Sequence, residues 1–591
     1  MPEHPNDAGS PPRDGKPPAT GQNGQPASAQ SAGTKSANAG PTSAKPMPSG
    51  SVSGGPVSSQ PARTARFLVA ALPPAPEGSG GLWDVLEQQP DTTILRRISP
   101  TAGTAAAADV PQFGATGFPE IAVVEMPVAA AATVAGWPGV LVEPDLPLAY
   151  DPPPAWGSGL SQPDPGLLVP LREPVLLRLA VQDTDGKPVQ GALVSVAGSA
   201  AASHGVTSAE GRVTLQLVAD TPETIRSIVV RPVAGYWGVR IDAPRLTGDS
   251  PEPITVPGLG SGGEKFGQRQ HTGWGVSALR VSDLPPTYRG HRIKVALMDS
   301  GISTSHPELK AQVAGGMDVN AGRDGSWDED ATGHGTWCAG IIAGEQDGGG
   351  IAGIAADAEL HALKLFPGGH TSDLISALDY CIETGIDVAQ ISLTPGASSQ
   401  LTTWKLHEAH ARGVACIAGA GDHGGPVAFP ASAAPVLAVG AIGRAGQCPP
   451  GTIPAGYETS THTPDGFFLP PFTAFSGPAG GVDLCAPGVA VPATASPDGY
   501  TMADGTGVAA AHISGLAALV LAHHSDFRDT FRHRDGARVD RLFALLRASC
   551  TPVPVDDPRR TGAGLPDARR ALSLTFDAGP AWQQFAYNPF P

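Results

Sequence analysis

The sequence predicts an α/β protein with a doubly wound, mostly parallel sheet over roughly its second half, preceded by two smaller modules. Two observations carry the large sheet. Short, continuous apolar runs such as Val295-Ala-Leu-Met298 suit strands buried on both faces. They alternate with helical stretches such as Leu374 to Glu383 and Val508 to His523, an order that places a site at the strand C-termini. A third observation sets the upstream modules apart: residues 65–150 follow the order βαββαβ, and residues 166–260 read as short strands broken by turns.

Residues 1–64 are Pro, Gly, Ser, Ala, Thr, Gln and Asn with almost no large apolar side chains, and are expected to form a disordered tail. In the first module, Arg66 to Leu72 reads as a strand and Gly81 to Gln88 as a short amphipathic helix. Thr93 to Ile98 and Ile121 to Met126 read as strands, and Val128 to Ala135 as a helix of small residues ended by Gly136. Val140 to Leu148 closes the unit with a strand, which makes the whole a ferredoxin-like split βαβ arrangement. Residues 151–165 form a Pro/Gly linker. The second module has strands at Val175 to Gln182 and Leu193 to Ala197 and within Gly205 to Leu217, punctuated by Asp185-Gly186 and Glu210-Gly211, as in a small antiparallel β-sandwich. The third spans about 268–575, and 576–591 is a C-terminal tail.

A chain of 591 residues exceeds one core, and 62 Pro and 76 Gly account for its long loop-rich tracts. A formal charge of −17 argues against nucleic acid and against an anionic membrane surface as partners. The start, Met-Pro-Glu-His-Pro-Asn-Asp, lacks the basic and apolar regions of an export signal, and no run of about 18 apolar residues is present; a cytoplasmic location with no membrane contact is expected. The six cysteines (Cys338, Cys381, Cys416, Cys448, Cys485, Cys550) form no C-x-x-C pair, so free thiols rather than zinc ligands are expected.

Three motifs in the third module carry chemistry. They are Val295-Ala-Leu-Met-Asp299-Ser-Gly301 followed by Ser305-His-Pro-Glu-Leu309, then Gly333-His334-Gly-Thr-Trp-Cys-Ala-Gly340, then Gly505-Thr-Gly507-Val-Ala-Ala-Ala-His512-Ile-Ser514-Gly515. In this order they resemble the Asp, His and Ser motifs of the subtilisin-like serine peptidases. The resemblance covers roughly half of the chain and implies a subtilisin-like fold and the family reaction, peptide-bond hydrolysis. It assigns Asp299 and His334 to the orienting carboxylate and the general base, and Gly507 to the nucleophile position. It also assigns Asp422 to the oxyanion position, which the family fills with Asn, and Ser392-Leu393-Thr394 to the substrate-binding edge, where Thr394 replaces a small glycine. The first module resembles the family's propeptide, in which a Val-Glu-x-Asp segment follows the second helix as Val142-Glu-Pro-Asp145 does here. The second resembles the regulatory-like β-sandwiches found beside many peptidases. Calcium is common in the family, but no loop offers ligands that can be named, and no metal site is assigned.

Acyl transfer needs a hydroxyl nucleophile, an imidazole base, an orienting carboxylate and oxyanion donors. Gly507 has no side chain to attack with, and an ionised Asp422 would repel the developing oxyanion. Two functions follow. One is a pseudopeptidase that binds a peptide or protein in the old cleft, its propeptide-like domain staying in place because no self-cleavage releases it. The other is an active serine-type endopeptidase with an atypical or altered site.

Overall fold

The computed structural model describes residues 63–72, 80–99, 118–150, 175–218, 220–246, 253–260, 266–321, 325–478 and 480–574. The expected N-terminal tail up to residue 62, the linker 151–165 and the C-terminal tail lie outside them.

The first module contains β1 (Thr64–Ala71), α1 (Gly80–Glu87), β2 (Thr93–Ile98), β3 (Ile121–Pro127), α2 (Val128–Ala135) and β4 (Val140–Pro144). Its antiparallel sheet has the order β2-β3-β1-β4. β1 and β3 are apolar on both faces because the sheet is covered twice. One face packs on Trp83, Leu86, Ala131 and Val134 of the module's own helices. The other, through Leu68, Ala70, Ile121 and Val123, packs on Ile375 and Leu401 of the third module. β4 is shorter than the sequence pattern suggests, ending at Pro144 rather than Leu148. Beyond it the Asp145 carboxylate turns to the third module, accepting from Ser372 N at 2.8 Å and Ser372 Oγ at 3.0 Å.

The second module has β5 (Val175–Asp183), β6 (Leu193–Ala197), β7 (Ala202–Val206), β8 (Arg212–Leu217), β9 (Ser227–Arg231), β10 (Val239–Asp242) and β11 (Ile254–Val256). They form two sheets, β10-β9-β6-β7 and β11-β5-β8. In β8 the burial alternates residue by residue, so Val213, Leu215 and Leu217 enter the shared core while Arg212, Thr214 and Gln216 face out. The sandwich is tied to the third module through Ile453 N to Gly238 O (2.9 Å) and Gly235 N to Tyr500 O (2.8 Å).

The third module follows as α3 (Trp274–Ala278), β12 (Lys294–Asp299), β13 (Val313–Asp318), α4 (His334–Ala343), β14 (Glu359–Lys364), α5 (Thr371–Thr384), β15 (Val388–Ile391), α6 (Gln400–Ala411), β16 (Ala415–Gly419), β17 (Val436–Arg444), β18 (Phe467–Phe468), β19 (Leu484–Pro487), β20 (Val491–Ala495), β21 (Gly499–Ala503), α7 (Thr506–His523), α8 (Gly536–Ser549), β22 (Cys550–Thr551), β23 (Leu565–Pro566) and α9 (Ala568–Ser573). The large sheet runs β13-β14-β12-β15-β16-β17-β18, with β19 beside β17; its pairings are parallel except for β18. Helices cover both faces, giving one core around α4 and α7 and another around α5 and α6. α7 is long and apolar enough to span a membrane by composition, yet 89% of that stretch is buried inside the fold. All six cysteines are free, and five are buried.

Candidate functional site

The site lies where the C-terminal ends of central strands meet two helix starts, the usual place for a ligand in a doubly wound sheet. Asp299 is the last residue of β12, and His334 is the first of α4. Gly333 supports that start with a φ of 88°, a left-handed conformation that a Cβ would strain. Gly507 is the second residue of α7, entered through Gly505 at φ 136°.

His334 Nδ1 is 2.9 Å from Asp299 Oδ2. Burial alone would raise the Asp299 carboxyl, but His334, helped by hydroxyls of Tyr150 and Ser392, holds it below the ordinary carboxylate value. Burial equally opposes a charged His334, yet the adjoining Asp299 and then Cys338 push its imidazole well above 6.5. Each partner thus favours the charged form of the other. The pair's contribution to stability is complete below the unfolded histidine's value and is lost as pH rises through the higher folded one.

Gly507 faces this pair. A Cβ built on it would lie 3.1 Å from His334 Cε1, 3.3 Å from Nε2 and 3.3 Å from Ser392 Oγ. The two neighbouring hydroxyls in the helix are engaged elsewhere: Thr506 Oγ1 accepts from Gly421 N at 3.1 Å, and Ser514 Oγ donates back to Ala510 O at 2.9 Å. Asp422 serves as an acceptor, taking the Thr506 N–H on Oδ1 at 2.7 Å. Ser392 receives Gln390 Nε2 at 2.6 Å, Leu393 is buried in the α5–α6 core, and Thr394 presents its backbone to the cleft. His334, Ser392, Leu393, Thr394, Asp422, Gly507 and Tyr150 line one cavity of about 230 Å³, together with Phe366, Phe429 and Pro430.

Three site residues were not singled out from the sequence. Cys338, one helical turn after His334, sets its Sγ 3.8 Å from Nδ1, and burial pushes its thiol up. Gln390 lies beneath the site, reaching Gly507 O at 3.3 Å, while its own buried Oε1 finds no partner among the described residues. The third is Tyr150. Its hydroxyl donates to Asp299 Oδ1 at 2.6 Å, and its ring lies 4.6 Å from the His334 ring. Its signal was positional, since it follows Val142-Glu-Pro-Asp145 by five residues.

Tyr150 belongs to a strap that runs from the first module through the cleft. Thr371 N donates to Leu146 O (2.8 Å), Leu148 N to Gly369 O (2.7 Å) and Ala149 N to Thr394 O (3.0 Å), and Thr394 N returns a bond to Ala149 O (2.9 Å). Leu148 is buried in the core around α5 and α6. At the root of the strap Glu143 covers the start of α6, accepting from Ser399 Oγ at 2.7 Å and Gln400 N at 2.8 Å, and Asp145 covers the start of α5. Carboxylates at helix N-termini are favoured by the unpaired N–H groups and the dipole there. The intervening β-sandwich therefore does not keep the first module from the cleft.

Among the described residues, Asp299, His334 and Cys338 form the one cluster of metal-binding composition, with ligand atoms within 4.8 Å. Its atoms are already spoken for, because Nδ1 bonds Asp299 and Oδ1 also receives Tyr150 and Ser300 N. Calcium prefers oxygen ligands, and Glu308 fits it better. That carboxyl is buried, has an unpartnered Oε2, is raised to about 7 by burial and then by Asp347 and Glu345, and abuts Gly350, where a Cβ would overlap Oε1. With chelator present, the Glu308 contribution to stability is expected to be complete below about pH 4.5 and to be lost, by about 2–3 kcal/mol, as pH rises through 7, because the buried carboxyl must ionise. Glu308→Gln should flatten that slope in thermal melts, and added calcium should flatten it for the parent; an unchanged slope in both cases removes Glu308 as its cause.

Residues 290–535 match the model of the subtilase family. Subtilisin DY of Bacillus licheniformis is 29% identical over 245 residues, which is 40% of this chain and 79% of that protein. The major intracellular serine protease of Bacillus subtilis (strain 168) is 31% identical over 267 residues, 43% of this chain and 76% of the relative. Subtilisin Savinase of Lederbergia lenta is 31% identical over 259 residues, 42% and 84% respectively. With the parallel sheet, the helix starts and the Asp299–His334 pair in place, the chain belongs to the subtilase family.

Proposed function

We propose that this protein binds a peptide or protein segment in a subtilase cleft without hydrolysing it. The observation that carries the reading is Gly507: the position facing His334 Nε2 has no hydroxyl to form an acyl intermediate. Two features support it. The oxyanion position holds Asp422, whose Oδ1 accepts an N–H rather than donating one. The cleft is also occupied by the chain's own Leu148-Ala149-Tyr150, with the Tyr150 hydroxyl on Asp299 Oδ1 at 2.6 Å. The first module acts as a retained, propeptide-like cover.

The intact Asp299–His334 pair favours a second reading, a serine-type endopeptidase working with an atypical nucleophile. Intact mass of the purified full chain over days, together with a fluorogenic peptide assay, separates the two. A chain that stays whole and silent supports binding. Turnover that His334→Ala abolishes overturns it.

A further inference from the structure

We propose that the Asp299–His334 pair has become a reader of tyrosine, so that the cleft takes extended peptides carrying an aliphatic residue two positions before an unmodified tyrosine. This rests on the non-hydrolytic reading above and names the ligand class of that same site. The chain's own Leu148-Ala149-Tyr150 is the resident ligand and displays the pattern. Ala149 is held by both of its backbone groups on Thr394, which gives affinity without side-chain selectivity. Selectivity comes from the flanking residues. Leu148 is 3% exposed among apolar side chains that include Leu374 and Leu393. The Tyr150 ring sits between His334 (4.6 Å) and Phe366 (4.8 Å), and its hydroxyl bonds the Asp299 carboxylate at 2.6 Å, with Thr332 Oγ1 at 3.5 Å.

The chemistry is specific at the phenol. Asp299 is buried, and a hydroxyl donating to a buried carboxylate is worth more than a neutral hydrogen bond. Phenylalanine would keep the ring contacts and lose that bond. Phosphotyrosine would bring a charge of about −2 against the same carboxylate.

The test uses the full chain as Glu143→Ala/Asp145→Ala/Leu148→Ala/Tyr150→Ala, which removes the strap's anchors on α5 and α6 and so frees its backbone partners as well as the two side-chain positions. Labelled Leu-Pro-Leu-Ala-Tyr is the probe, read by fluorescence anisotropy. The tyrosine peptide should bind about ten- to a hundredfold more tightly than its phenylalanine counterpart, and the phosphotyrosine form should not bind measurably. Equal affinity of the tyrosine and phenylalanine forms, tight binding of the phosphorylated one, or no binding of any peptide overturns the proposal. Mass spectrometry of the recovered peptide tests the underlying reading separately: a cut peptide ends the non-hydrolytic function whatever the affinity ratio. If the strap-released variant does not fold, Tyr150→Phe in the full chain gives the same answer in place. Amides of Leu148 and Ala149 should then exchange hydrogen about ten- to a hundredfold faster while those of β4 hold; unchanged exchange at Leu148 and Ala149 overturns it.

Discussion

Gly507→Ser, combined with Asp422→Asn, is expected to produce peptide hydrolysis where the parent has none. The serine Cβ would stand 3.3 Å from His334 Nε2, close enough to bring a hydroxyl within reach of the imidazole once the ring gives by a few tenths of an ångström. In subtilisin, a relative of this protein, loss of the triad serine costs about 2 × 10⁶ in kcat and loss of the oxyanion asparagine about 10²–10³. On that scale the single Gly507→Ser variant should recover only about 10³–10⁴-fold, with the rest arriving with Asp422→Asn. Turnover of a fluorogenic peptide by the parent and the two variants, each with the strap released as described next, checks the order. Equal rates for Gly507→Ser with and without Asp422→Asn would show that Asp422 does not limit the step.

Releasing the strap is the second large effect. Glu143 and Asp145 each satisfy N–H groups at the start of a helix in the third module, α6 and α5 respectively, and Asp145 also pairs with Arg66 at 2.9 Å. Loss of such a cap costs about 1–2 kcal/mol. The double variant Glu143→Ala/Asp145→Ala should therefore favour the undocked form by about 2–4 kcal/mol, a population shift of about thirty- to a thousandfold. The expected readout is faster hydrogen exchange at Leu148 and Ala149, whose amides are bonded to Gly369 and Thr394. Protection that survives the double variant would mean that the apolar contact of Leu68, Ile121 and Val123 with Ile375 and Leu401 holds the module by itself.

The sequence by itself determined the fold class, because β12 is apolar without alternation and because motifs around Asp299, His334 and Gly507 keep their order and spacing. Local chemistry of that kind is written in consecutive residues: a buried strand ending in an acid, and glycines at 333 and 505 where left-handed or extended backbone leads into a helix. The absence of a side chain at Gly507 needed no coordinates either. What only the tertiary structure decided concerns groups far apart in the chain. Asp422 accepts from Thr506, 84 residues on, so its role as an acceptor is set by how β16 meets α7. Tyr150 reaches Asp299 across 149 residues of chain that include a whole β-sandwich. Nothing local to Leu146–Tyr150 marks it as a cleft ligand. It becomes one because Pro144 ends β4, Glu143 and Asp145 find two unpaired helix starts, and the backbone groups of Gly369, Thr371 and Thr394 lie open along the cleft for a strand to bond.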